Sequence, residues 1–119
     1  MKSEIEALKM IKKGYYAVIP ASVRYDVRLT PNAKLLYGEI TALTNEKGYC
    51  WASNDYFASL YEVSKTSISK WVSALRDAGH ITLQIQYKEG TKHILHRYIR
   101  LVDDPIEEKL HTPITNVND

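Results

Sequence analysis

Between Lys65 and Asp77 the residue types sort by spacing into two chemistries. Ile68, Trp71, Val72 and Leu75 recur at three- and four-residue steps, within a sector of about 100° on a helix of about 3.6 residues per turn. Thr66, Ser69, Lys70, Ser73 and Asp77 fall on the other side. Burying the apolar side leaves a surface of small hydroxyls around one lysine. Small hydroxyls permit close approach to a groove about 12 Å wide, and Lys70 can reach a phosphate or a guanine edge. The first turn, Lys65, Thr66 and Ser67, offers backbone N–H groups to a phosphate. A solvated amphipathic helix in a protein-binding module would carry the same pattern. Farther along, Lys88 and Lys92 flank Gly90, and His93, Arg97 and Arg100 follow. Basic side chains on such a hairpin suit a phosphate backbone or a minor groove, although exposed lysines are also common at turns.

Catalytic chemistry finds little support. His93 and His96 stand three apart, which on a strand turns them to opposite faces and prevents joint metal binding. Cys50 sits among apolar residues beside Trp51, the setting of an inert buried thiol. The acid pairs Asp103–Asp104 and Glu107–Glu108 lie in a tail that cannot hold the fixed separation acid–base chemistry needs. Neither GxGxxG nor GxxxxGK[ST] occurs. The reading is therefore of a non-enzyme without cofactor or metal. Most of the nine tyrosines fall at core positions of helices or strands, Tyr87 and Tyr98 excepted, so a stacking platform for single strands is the lesser alternative.

The elements that must position these residues are read from caps and periodicity. Ser64 caps the helix from Lys65 to Ala78, which Gly79 stops; Ser53 caps a shorter one through Tyr56, Phe57 and Leu60. Only the Glu62–Val63 turn separates them. Upstream, Thr30–Pro31 opens a helix with Ala33, Leu36, Tyr37, Ile40 and Leu43 on one face, stopped between Asn45 and Gly48. Tyr15 to Ile19 reads as an extended edge piece and Tyr49 to Ala52 as a short strand, whereas residues 21–29 carry no clear signal. After Gly79, Ile81, Leu83, Ile85 and Tyr87 alternate with polar residues, Lys88 to Lys92 turns, and Ile94 to Leu101 returns with ambiguous facing. Two capped helices, a tight turn and a β-hairpin give a mainly α fold with a small hairpin, the order of a winged helix-turn-helix.

Three segments follow: an N-terminal helix over 1–14, the winged-helix domain over 15–101, and a linker or tail over 102–119. Ser3 and Glu6 form a capping-box pattern, and Ile5, Leu8 and Ile11 line one side of that first helix. Those apolar residues pack either on their own domain or in a homodimer. With 119 residues, 45% hydrophobic, and one cysteine, the chain can build a core without disulfides. No apolar run approaches the roughly 20 residues of a membrane helix, and the start lacks the apolar stretch of a signal peptide, so the expectation is a soluble cytoplasmic protein with no membrane partner. The net charge of +2 divides unevenly: residues 102–119 hold one Lys against five acids, leaving net +6 on the rest. Lys65 to Arg100 contains seven Lys plus Arg and two acids, a patch suited to a polyanion.

The runs from Ile19 to Asp26, Leu29 to Ile40, Gly48 to Asn54 and Val63 to Val72 resemble the N-terminal winged-helix domain of Gram-positive phage and plasmid replication initiators, the DnaD-like or replisome-organiser proteins. Asn32–Ala–Lys–Leu–Leu–Tyr37 is the most specific part. The resemblance implies origin binding on double-stranded DNA, self-association, and a tether to a C-terminal domain that engages helicase-loading proteins; no such C-terminal domain is present in these 119 residues. Sequence-specific duplex binding for replication initiation is thus the expected function, with a transcriptional repressor of the same fold as the alternative. One phosphate each at Lys65, Lys70, Lys88, Lys92 and Arg97 would give a log K against log salt slope of about −4 to −5.

Overall fold

The computed structural model describes residues 16–44 and 48–102. The expected N-terminal helix with Ile5, Leu8 and Ile11, the stop at Asn45 to Lys47, and the linker beyond Val102 lie outside the described residues.

Each main helix begins at a hydroxyl that accepts from the backbone three residues on. Thr30 caps α2 (Pro31–Leu43) through Ala33 N at 3.2 Å, Ser53 caps α3 (Asn54–Tyr61) through Tyr56 N at 3.1 Å, and Ser64 caps α4 (Lys65–Asp77) through Ser67 N at 3.1 Å. Ahead of them the segment without a sequence signal contains α1 (Ala21–Arg24), which turns on the Pro20 carbonyl and buries Val23. The turn between α3 and α4 is tight because Glu62 adopts φ 57°, a left-handed conformation unusual for a residue with a Cβ. Gly79, at φ 83°, ends α4 one residue past the Ala78 cap, where a left-handed residue lets the chain reverse into the sheet.

The sheet has the order β1–β3–β2, with β1 (Tyr49–Cys50) and β2 (Ile81–Tyr87) both antiparallel to the central β3 (Ile94–Leu101). The first strand is two residues shorter than its sequence suggested, and residues 16–20 form no strand. They lie along α2 instead: Val18 N donates to Thr41 Oγ1 at 3.0 Å, and Ala17 and Ile19 sit against Gly38. Helix α4 packs on α2, α3 and the start of β2, so Ile68, Val72 and Leu75 meet Leu36, Ile40 and Phe57 in one buried core that Ile81, Ile99 and Cys50 close from the sheet.

Facing in the hairpin differs from the alternation expected of β2. Ile81 is buried and Leu83 half-buried, but Ile85 and Tyr87 are 39% and 51% exposed. The hairpin runs past the end of the helical layer, so its outer half has no core to face. A register shift between Gln86 and Tyr87 pairs Tyr87 with Ile94 and leaves Leu95 as the extra residue, a β-bulge that ends regular pairing near the tip. Helices, three-stranded sheet and projecting hairpin together form a winged helix.

Candidate nucleic-acid interface

Helix α4 presents its polar side outward as its spacing requires. Thr66, Ser69 and Lys70 are exposed, Ser73 is half-buried, and the buried positions Ile68, Val72 and Leu75 all point into the core. Trp71 takes an intermediate place, lining a crease with Leu35, Tyr61 and Val63. Ser67 is committed to the cap: its hydroxyl oxygen accepts from Ser64 Oγ at 3.0 Å while its N–H donates to the same oxygen. Lys65 lies 3.3 Å from Asp55, but both side chains are largely exposed, so the pair is easily exchanged for a phosphate. Arg76 was missed by the sequence reading. It follows Ser69 and Ser73 at helical steps, is exposed, and lies against Asp77 at 3.2 Å.

The back of α4 is fixed by a polar clamp that sequence alone did not reveal. Asp26, whose side chain is 6% exposed, accepts from Arg28 Nε and N at 2.9 Å and from Arg28 Nη2 at 2.7 Å, and its Oδ2 lies 2.8 Å from His80 Nε2. Arg28 Nη2 also donates to the Ala78 carbonyl at 3.3 Å. Its hydrogen bonds from Arg28, then from His80, hold the Asp26 carboxyl well below the usual carboxylate range. The clamp joins the loop before α2 to the Ala78 cap of α4 and to His80 just beyond it.

At the wing, Lys88, Lys92 and His93 are exposed around a closed turn. Lys88 N donates to the His93 carbonyl at 2.7 Å, Thr91 N donates to the Lys88 carbonyl at 3.0 Å, and Gly90 supplies φ 75°. Arg97 is placed differently from the other candidates. It turns inward beside Ile99, where Nη1 donates to Asn54 Oδ1 at 2.6 Å and Nη2 to the Ala52 carbonyl at 2.7 Å, and Nε is buried with no hydrogen-bond partner. The guanidinium ties the start of α3 to β3, so it is not a free surface cation, and burial lowers its pKa. The structure thus brings together Thr66, Ser69, Lys70 and Ser73 on one surface and Lys88, Lys92 and His93 on the wing, and it withdraws Arg97 and the Ser67 backbone N–H.

Cys50 is fully buried, and desolvation pushes its thiol up to about 11. His96 lies against Trp51 at a ring-centroid distance of 5.7 Å, and His93 lies outside β3. Among the described residues no helix is long and apolar enough to cross a membrane, and no three His, Cys, Asp or Glu side chains gather as metal ligands.

Residues 27–81 match the family model of a helix-turn-helix domain. The matched stretch runs from the loop before α2 through α4 to the first residue of β2, which contains most of the core, both serine caps and the exposed side of α4. The helix-turn-helix supports a DNA-binding domain, with α3 and α4 inside the matched stretch. No curated protein and no solved structure matches the chain.

Proposed function

We propose that the protein binds double-stranded DNA in a sequence-specific way, docking α4 in the major groove and the wing on the adjacent backbone, and that it serves replication initiation at a phage or plasmid origin. The observation that carries the docking is the exposure of Thr66, Ser69 and Lys70 on a helix whose opposite side buries Ile68, Val72 and Leu75 in the core. Those side chains are short enough to let the helix backbone approach base edges, while Lys88 and Lys92 stand on a separate element that meets phosphates. The reading assigns the chain no catalysis and no cofactor, and it places the protein in the cytoplasm with its DNA. The origin role rests on the resemblance to replisome-organiser proteins, as do self-association and a link to helicase-loading partners.

Footprinting on the DNA surrounding the protein's own gene tests the role: protection of repeats within an origin supports the initiator, and protection of a promoter supports a repressor. Ser69→Ala or Lys70→Ala then lowers preference for the protected site by about 1 to 3 kcal/mol. Lys88→Ala with Lys92→Ala weakens cognate and random DNA alike. Reversal of these two effects would exchange the roles of helix and wing.

A further inference from the structure

The side of the sheet turned away from the core carries a cluster that duplex docking does not use. Because Cys50 and Ile99 are a buried pair in β1 and β3, their neighbours Tyr49, Tyr98 and Arg100 face outward, and Trp51 and His96 join them. The rings contact one another: Trp51 to Tyr98 at 4.9 Å, Tyr49 to Tyr98 at 5.5 Å and Trp51 to His96 at 5.7 Å between centroids. Arg100 lies over the Tyr49 ring at 4.3 Å. Trp51 is 57% exposed in spite of these contacts. From β2 the same face receives Thr82, paired with Arg100, Gln84, paired with Tyr98, and Gln86, whose Oε1 accepts from the Tyr98 hydroxyl at 3.2 Å.

Its chemistry is selective. Within the three strands there is no Asp or Glu, so the strand residues of this face supply aromatic rings, amides, an imidazole and a guanidinium. A hydrophobic protein partner would not call for this mixture of flat rings and cations. A nucleic acid with unpaired bases does: the bases stack on aromatic faces, the phosphates meet Arg100, and the amides meet base edges. Trp51 and His96 also edge an open groove of about 360 Å³ that continues along Ile94 and Leu95 to Ser53. Duplex DNA has its bases stacked inside and offers no such faces.

We propose that the outer sheet face, centred on Trp51, Tyr98 and His96, is a second nucleic-acid site that binds single-stranded DNA by stacking about two or three unpaired bases. It is separate from the duplex surface of α4. A protein with both could hold a duplex element and an adjacent opened strand at once.

The test uses the full chain. Trp71→Phe leaves Trp51 as the sole tryptophan, and its fluorescence is followed during titration with a dT12 oligonucleotide and with a 12-base-pair duplex. Binding of labelled dT12 is measured in parallel by anisotropy on the otherwise natural chain. Saturable quenching by dT12 is expected, together with about a tenfold affinity loss for dT12 in Trp51→Ala and in Tyr98→Ala, unchanged duplex binding, and partial retention in Trp51→Phe. Equal far-ultraviolet dichroism of the variants separates lost stacking from lost folding. Absence of quenching at dT12 concentrations that exceed duplex saturation overturns the proposal. So does a dT12 affinity that Trp51→Ala and Tyr98→Ala leave unchanged, or a concentration-dependent dimer abolished by Trp51→Ala, which would assign the face to a second copy. Weakened duplex binding in Lys70→Ala with dT12 binding intact keeps the two readings distinct.

Discussion

Arg97 and Asp26 show how side chains of similar appearance in a sequence divide between surface and scaffold. Arg97 follows Lys88 and Lys92 and adds to the same basic run, yet its guanidinium is spent on Asn54 and Ala52. Arg97→Ala leaves a half-buried carbonyl and side-chain amide without their donors, so we expect a stability loss of about 1 to 3 kcal/mol by denaturant unfolding. The salt slope of DNA binding stays unchanged in the folded fraction, which distinguishes a scaffold arginine from a phosphate contact. Asp26 predicts a pH dependence. Its folded-state pKa is lowered below an ordinary value near 3.8, so the clamp's contribution is complete above about pH 4 and declines as pH falls through the range below it. Thermal melts should accordingly show Asp26→Asn less stable than the natural protein at pH 7, with the gap narrowing from pH 4 toward pH 2. A gap independent of pH would assign the effect to packing rather than to the carboxylate.

Helix caps were readable because a hydroxyl before an apolar periodic run has one strong local use, and Thr30, Ser53 and Ser64 each show it. Tertiary relations were not. Whether β3 turned Arg97 or Tyr98 inward depended on its pairing with Cys50, and the exposure of Ile85 and Tyr87 depended on how far the hairpin outran the helices. Likewise, Asp26 and His80 are 54 residues apart in the chain, beyond any local pattern, and α1 is too short to show a period. Gly38 illustrates the conflict at the scale of one helix. By propensity, alanine in the middle of α2 should stabilise by about 1 kcal/mol. A Cβ at this position would meet Ile19 Cγ1 at 3.0 Å and Ala17 Cβ at 3.1 Å, where the extended 16–20 segment is held down by the Val18–Thr41 hydrogen bond. Gly38→Ala should therefore destabilise, by about 1 to 2 kcal/mol net in chemical unfolding. A more stable variant would mean that the segment yields freely and does not constrain α2.

For the molecule as a whole, the charge distribution fixes how binding responds to salt. The sequence reading counted five phosphate contacts; the withdrawal of Arg97 leaves four of those five, Lys65, Lys70, Lys88 and Lys92, all exposed. Each neutralised phosphate of a duplex releases about 0.9 counterion, so four contacts predict a log K against log salt slope of about −3.6 per domain. The exposed Lys65–Asp55 pair does not remove Lys65 from the count, since such a pair contributes little and exchanges readily. Removing Lys88 and Lys92 together should bring the slope to about −1.8, whereas Arg97→Lys should leave it near −3.6. Filter or anisotropy titrations across about 50 to 200 mM salt measure all three proteins on one duplex. A slope near −5 that Arg97→Lys reduced would return that residue to the interface and require α3 to release it on binding; a slope near zero would deny the wing and helix any shared polyanion.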